Sequence, residues 1–266
     1  MCVKSKGWHS VYSARGDSRI LYINHRFAAY LTLLHSFRYL PQWGGEAVAN
    51  HEKLELIIGD AHKYLMETTE VFDVIIMDIS DPIEAGPGIA LYTQEFYKRA
   101  AEVLNKKSGV FVTQAGCADS IPRGVPTEDT DDKDSWCFSP IINTLATVFD
   151  HAIPYSVPVP SFGEDWGFVM AFNGSPAMAS ALIDFPPAVT DALVEERIET
   201  VPGVPEHRNR LSGVNHATKG NKRGAEVLKH YDGAAHRGMF SLSKSLREAI
   251  KIDKRIIDME NPIFMY

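Results

Sequence analysis

The sequence predicts an α/β fold whose sheet is mostly parallel and closes with an antiparallel edge pair. Two observations carry this. From Leu54 onward, short runs rich in Ile and Val alternate with segments of helical period, the pattern left by strands and crossover helices of a parallel sheet. Later, two extended runs at 152–160 and 166–172 are separated only by residues 161–165, too few for a crossover helix but enough for a hairpin.

Taken in order, strands are expected at 54–59, 72–77 and 109–114. Helices at 61–69 and 93–104 lie between them, the second with Phe96, Ala100, Val103 and Leu104 on one face and Thr93 at the N-cap. A further helix is expected over 139–149: Ser139 caps, Pro140 suits the first turn, and Ile141, Leu145, Val148 and Phe149 form the apolar stripe. The last helix, 242–250, starts at Ser241 or Ser243 and turns Leu246, Ala249 and Ile250 inward. Before Leu54, residues 20–23 read as a strand and 27–40 as a helix, without strong start or stop signals. Segments 118–134, with five acidic residues from Glu128 to Asp134, and 203–229, mixing Gly, Asn and basic residues, read as solvated loops.

Composition narrows the function. A chain of 266 residues with 45% hydrophobic and 23% charged residues is ordinarily globular, and a formal net charge of -7 argues against a nucleic-acid binder while suiting a cationic small substrate. Cys2, Cys117 and Cys137 are too few and too scattered for a disulfide framework or a clustered metal site. Reduced thiols in the cytoplasm, and no metal, are therefore expected. No apolar run approaches the roughly 20 residues of a membrane span, so no membrane contact is expected either.

The candidate chemistry lies at strand ends, where open α/β sheets bind ligands. Asp78 and Asp81 flank a turn after the apolar strand, and Pro82 stops the strand from continuing. Two carboxylates so spaced can converge on one cation, or one can hold an amine while the other takes its proton. Equally, Asp78 can cap the turn and Asp81 fill the usual Asp-Pro role. Asp60 can accept a hydrogen bond from an amino group or cap the next helix, and Gln114 ends another strand. The Gly-rich turn of a nucleotide-binding first half is not found: residues 1–53 hold no G-x-G, only the pair Gly44-Gly45.

Asp78-Ile79-Ser80-Asp81-Pro82, followed by Gly86-Pro87, Leu91-Tyr92 and Glu95-Phe96-Tyr97, resembles the central signature of the polyamine aminopropyltransferases, the spermidine and spermine synthases. Gly59-Asp60-Ala61, Thr113-Gln114-Ala115-Gly116, Phe138-Ser139-Pro140, Val159-Pro160-Ser161-Phe162 and Asp165-Trp166-Gly167-Phe168 fit the same family in the same order. The longer Pro82-Ile83-Glu84-Ala85-Gly86-Pro87, with Tyr231-Asp232-Gly233 and Glu260-Asn261-Pro262, resembles its thermospermine synthase branch.

The resemblance implies a Rossmann-like class I methyltransferase fold and transfer of an aminopropyl group from decarboxylated S-adenosylmethionine, a co-substrate, to putrescine or spermidine, with no cofactor. By the family's pattern Asp78 is the catalytic proton acceptor. Asp81, Gln114 and Phe162 bind the polyamine, Phe162 standing where many members have Tyr. Asp60, Ala61 and Pro87 contact the donor. Partners would be these small molecules and further subunits, as a homo-oligomer (dimer) or a mixed oligomer. The resemblance covers a catalytic domain at 38–266 with loop insertions at 118–134 and 203–229, leaving 1–37 as an atypical N-terminal segment. The family's ribose-binding carboxylate has no counterpart, since no acidic residue lies between Asp17 and Glu46; Asn24 is the nearest acceptor. These departures lead to the expectation of a truncated or misassembled N-terminus, or of an impaired member that binds polyamine or stabilises an active partner.

Overall fold

The computed structural model describes residues 2–8, 18–23, 54–57, 59–84, 88–118, 136–200, 228 and 230–265. The helix expected at 27–40, Asn24, Gly44-Gly45, Pro87 and nearly all of both expected loops lie outside the described residues. The chain forms two compact units, Met1–Ser175 with Leu242–Tyr266, and Pro176–Ser241.

The first unit is built on one sheet. Its strands are β1 Cys2–Trp8, β2 Ser18–Ile23, β3 Leu54–Ile57, β4 Val74–Met77, β5 Val110–Cys117, β6 His151–Val159 and β7 Glu164–Phe172, in the order β3-β1-β2-β4-β5-β7-β6. The centre, β2-β4-β5, is parallel, and β7 and β6 add antiparallel to β5 as the expected edge pair. Gly163, at φ +75°, helps the chain reverse between them. Two strands come from the first 37 residues, and β1 is inserted antiparallel to both β2 and β3.

The helices beside the sheet begin where short polar side chains capture free N–H groups. Asp60 caps α1 (Ala61–Glu67), accepting from Lys63 N–H at 3.1 Å, and Thr93 caps α2 (Gln94–Val103), accepting from Phe96 N–H at 3.3 Å. The helix α3 (Phe138–Ala146) corrects one expectation: Cys137 occupies the cap position without a side-chain bond, and the Ser139 hydroxyl donates instead to the Asp253 carboxylate. A hydrogen bond to an ionised acceptor is about twice as strong as one between neutral groups, so the buried carboxylate wins the hydroxyl. Aromatic rings tie α2 to β5 and to the turn after α3, running Phe96, Tyr97, Phe111, Phe149 at centroid spacings of 6.3, 5.4 and 6.0 Å. Of the expected stripe, Ile141, Leu145 and Phe149 are buried and Val148 is half-buried, but α3 stops at Ala146, short of the expected end at 149, so Val148 and Phe149 follow it.

The second unit holds α4 (Pro176–Ile183), α5 (Pro187–Thr200) and α6 (Gly233–Met239), which the periodicity does not reveal. Asp232 caps α6, and Asp191 of α5 accepts from Gly233 N–H at 2.7 Å. The approach is close enough that a Cβ on Gly233 would stand 2.0 Å from the Pro187 carbonyl oxygen. In the first unit, α7 (Lys244–Ile252) starts at Ser243, which accepts from Leu246 N–H at 3.2 Å. Among the described residues no single helix is long and apolar enough to cross a membrane.

Candidate active site

The sheet register sets the site. Ile57 of β3, Cys2 of β1, Ile23 of β2, Met77 of β4 and Thr113 of β5 form one row across the sheet. Asp78 stands just beyond that row at the end of β4, and Asp60 follows β3 as the cap of α1. Gln114 comes next after Thr113 but, contrary to the expectation that it ends its strand, lies inside β5, which pairs with β7 as far as Cys117. Strand β7 begins at the same edge, with Trp166 opposite Cys117 and Phe168 opposite Gln114, so the turn bearing Phe162 belongs there too.

Asp78 is exposed, yet both ends of it are tied to β2. Its N–H donates to the Ile23 carbonyl at 2.8 Å, and its carboxylate accepts a hydrogen bond from the Tyr22 hydroxyl. Asp81 is half-buried, and its Oδ1 accepts from Gln114 Nε2 at 3.0 Å. Burial pushes the Asp81 carboxyl above its ordinary value, and the hydrogen bond from Gln114 pulls only partly the other way.

Gln114 organises the surroundings. Its two Nε2 hydrogens are shared among Asp81, the Ile79 carbonyl at 2.7 Å and the Tyr92 hydroxyl at 2.5 Å. Its Oε1 accepts from Gly116 N–H at 2.9 Å and from the Trp166 indole N–H at 3.1 Å. Tyr92 donates onward to the Ser80 carbonyl at 3.2 Å. Phe162, 57% exposed, leans on Trp166 with ring centroids 4.6 Å apart.

The structure thus joins four of the sequence-predicted residues into one neighbourhood: Asp78 and Asp81 on one turn, Gln114 on Asp81, and Phe162 through Trp166. Asp60 and Ala61 share the sheet edge, but Asp60 caps its own helix and Ala61 is buried. Sequence reasoning missed Tyr22, Tyr92 and Trp166. Trp166 sat in a quoted motif without a role, and Tyr22 offered only its place in a short strand. Chemically, an exposed carboxylate next to a half-buried one, with an indole and a phenyl ring nearby, suits an ammonium group carried on a methylene chain. Among the described residues there is no group of three or more His, Cys, Asp or Glu able to hold a metal ion.

The spermine/spermidine synthase domain matches residues 34–181. The chain belongs to the spermine/spermidine synthase family. The matched segment contains every sequence-predicted site residue and Trp166, but not Tyr22. Among relatives, a polyamine aminopropyltransferase of Sulfolobus acidocaldarius is 32% identical over 79% of this chain and 55% of its own length. A thermospermine synthase of Arabidopsis thaliana is 40% identical over 46% of this chain and 32% of its own. The chain therefore spans little more than half the length of the first of these relatives and less of the second. Among solved structures, a spermidine synthase in complex with the transition-state analogue AdoDATO gives a TM-score of 0.56 at 21% identity, covering 87% of this chain and 61% of that one. The spermidine synthase of Thermotoga maritima gives 0.54 at 19% identity, covering 87% and 60%. Both likenesses identify the fold as that of this family.

Proposed function

We propose that the chain transfers an aminopropyl group from decarboxylated S-adenosylmethionine to putrescine or spermidine, as an enzyme of polyamine biosynthesis. The observation that carries this reading is the pairing of Asp78 and Asp81 on one turn at the ligand-binding edge of the sheet, one exposed and one half-buried against Gln114. Polyamine ammonium groups have pKa values near that of lysine, about 10, so the acceptor arrives protonated and cannot attack. Asp78 accepts that proton. The freed nitrogen lone pair forms a C–N bond with the propyl carbon attached to the sulfonium, and the C–S bond breaks with its electron pair returning to sulfur. The products are methylthioadenosine, a neutral thioether, and the extended amine, so departure needs no acid.

Asp81 holds an ammonium of the acceptor, whose charge relieves the cost of keeping that carboxylate ionised while half-buried. Gln114 fixes Asp81, and Phe162 and Trp166 flank the methylene chain. Asp60, Ala61 and Pro87 serve the donor. Held in line, acceptor and donor react as if at high effective concentration. No resident metal or cofactor takes part.

Incubating the 266-residue chain with labelled decarboxylated S-adenosylmethionine and putrescine or spermidine tests the reading. Methylthioadenosine is expected from the wild type and not from Asp78→Asn. Equal, background release from both would remove it.

The missing G-x-G in residues 1–53 favours a second reading, a family member that binds polyamine, or steadies an active subunit, without catalysing transfer. It predicts a calorimetric signal with spermidine, lost in Asp81→Asn, and no methylthioadenosine.

A further inference from the structure

The segment after α7 crosses the first unit and ends beside the Asp81 carboxylate. Arg255 anchors its start, bonding the Asp253 carboxylate at 2.8 Å and the Trp136 carbonyl at 3.2 Å. Ile257 then clips onto two helices, its N–H donating to Thr144 Oγ1 at 2.9 Å and its carbonyl accepting from Gln94 N–H at 3.0 Å. The Ile263 carbonyl faces Cys137 Sγ at 3.9 Å, and Met265 N–H donates to the Pro82 carbonyl at 2.8 Å, on the turn that carries Asp81. Ile257, Ile263 and Met265 are all buried.

The side chain of Met265 then occupies a telling position. A Cβ placed on Gly116 would meet the sulfur and terminal methyl of Met265 at 3.1 Å and Asp81 Oδ1 at 3.8 Å. The thioether and the carboxylate oxygen that Gln114 holds therefore flank one point and lie within about 7 Å of each other. An ammonium paired with Asp81 has methylenes on its far side, and an unbranched, polarisable thioether is well suited to pack against them.

We infer that Met265 determines acceptor specificity: it forms the apolar wall against which the methylene chain of the amine is measured once its ammonium engages Asp81. Segment 253–265 is thus part of the acceptor site and not only packing for α2 and α3. This rests on the aminopropyl-transfer reading of the site.

The test measures kcat/KM, and Kd by calorimetry, for 1,3-diaminopropane, putrescine, cadaverine and spermidine with the wild type, Met265→Ala, Met265→Val and Met265→Leu. A methylene in an apolar pocket changes discrimination by about tenfold or more. The ratio between the best and worst diamine is therefore expected to fall about tenfold in Met265→Ala and Met265→Val and to be restored in Met265→Leu. A purely structural Met265 would lower the melting temperature and scale all acceptors alike; unchanged ratios in whichever small variant folds would overturn the inference alone. A wild type that neither turns over nor binds any of the amines would overturn the transfer reading and this inference with it.

Discussion

The Tyr22 hydroxyl on β2 donates a hydrogen bond to the Asp78 carboxylate at the end of the neighbouring parallel strand β4. Tyr22 pairs with Ile76 in the register, and the Asp78 N–H is bonded to the Ile23 carbonyl, so backbone and side chain fix Asp78 on the same neighbour. In the proposed reading, a base tied down in this way meets the substrate nitrogen in one orientation. Hydrogen bonds to charged groups are worth about 1.5–3 kcal/mol, so Tyr22→Phe is expected to lower kcat for methylthioadenosine release by roughly tenfold or more. Acceptor KM should move little, because in the proposed reading Asp81 and not Tyr22 holds the amine; a change confined to KM would contradict the assignment.

Asp81 sits where its charge is costly. Burial raises its carboxyl above the ordinary value, so the folded state holds a proton more readily than the unfolded chain does. The native state is therefore relatively most stable below the unfolded value of about 3.9 and loses stability as pH rises through the raised folded value. Asp81→Asn removes this loss while leaving an oxygen to accept from Gln114. The variant should melt higher than the wild type at pH 7.5, with the difference vanishing towards pH 3, and should bind spermidine far more weakly. Thermal melts at both pH values, with calorimetry at the higher, check both halves.

Asp253 shows the opposite balance. Burial pushes its carboxyl up, but hydrogen bonds from the Arg255 side chain and the Ser139 hydroxyl, with the Arg255 backbone N–H and positive charge, outweigh it and hold the group below its ordinary value. Such a group contributes stability above the unfolded value of about 3.9, which is lost as pH falls through the lower folded value. Asp253→Asn removes the negative partner of Arg255, whose bond to the Trp136 carbonyl remains, and is expected to cost about 3 kcal/mol at pH 7, the low end for breaking a buried pair because the arginine stays a quarter exposed. Urea unfolding at pH 7 and at pH 3.5 should show the deficit shrinking in acid.

Local rules made much of this legible. The caps Asp60, Thr93 and Ser243 work within three residues of sequence, and Ile141 and Leu145 of α3 are buried on one side because a helix turns at a fixed pitch. The turn Asp78–Asp81 was readable because an apolar strand runs into Pro82. Features decided by distant residues were not readable. Ser139 was expected to cap α3, but Asp253, 114 residues away, takes its hydroxyl. Cys2–Trp8 has no alternating pattern and becomes a strand only by pairing on both sides. Tyr22 and Trp166 gain their places from contacts 56 and 52 residues off, which no local window contains.

Two neighbouring tyrosines differ in how their hydroxyls are satisfied. Both are fully buried, and burial raises both hydroxyls well above the ordinary value. Tyr92 bonds Ser80 and Gln114, whereas the Tyr97 hydroxyl has no hydrogen-bond partner among the described residues. An unsatisfied buried hydroxyl costs about 1–3 kcal/mol, so Tyr97→Phe is expected to raise stability by about 1 kcal/mol. Tyr92→Phe, which leaves the Ser80 carbonyl short of a donor while the Gln114 amide keeps Asp81 and the Ile79 carbonyl, is expected to lower stability by a similar amount. Chemical denaturation of the two variants side by side decides the matter, and equal effects would show that the hydroxyls are equivalent.

Gly116 carries two constraints at once, and a double-mutant cycle separates them. Its φ of +79° is a left-handed conformation that costs other residues about 1–2 kcal/mol, and the Cβ of an alanine would press on Met265 at 3.1 Å. The pressing atoms are the free end of a flexible side chain, which can yield by a few tenths of an ångström; the backbone cannot. Gly116→Ala is therefore expected to cost about 1–2 kcal/mol, and the cost should persist when Met265 is also alanine, the two changes adding to within about 0.5 kcal/mol. Activity should behave differently. The Gly116 N–H is bonded to Gln114 Oε1, so strain at Gly116 passes to the amide that holds Asp81 and should weaken acceptor binding in either background. A cycle in which Met265→Ala rescues stability would instead identify the side-chain contact, and not the backbone, as the reason glycine stands at position 116.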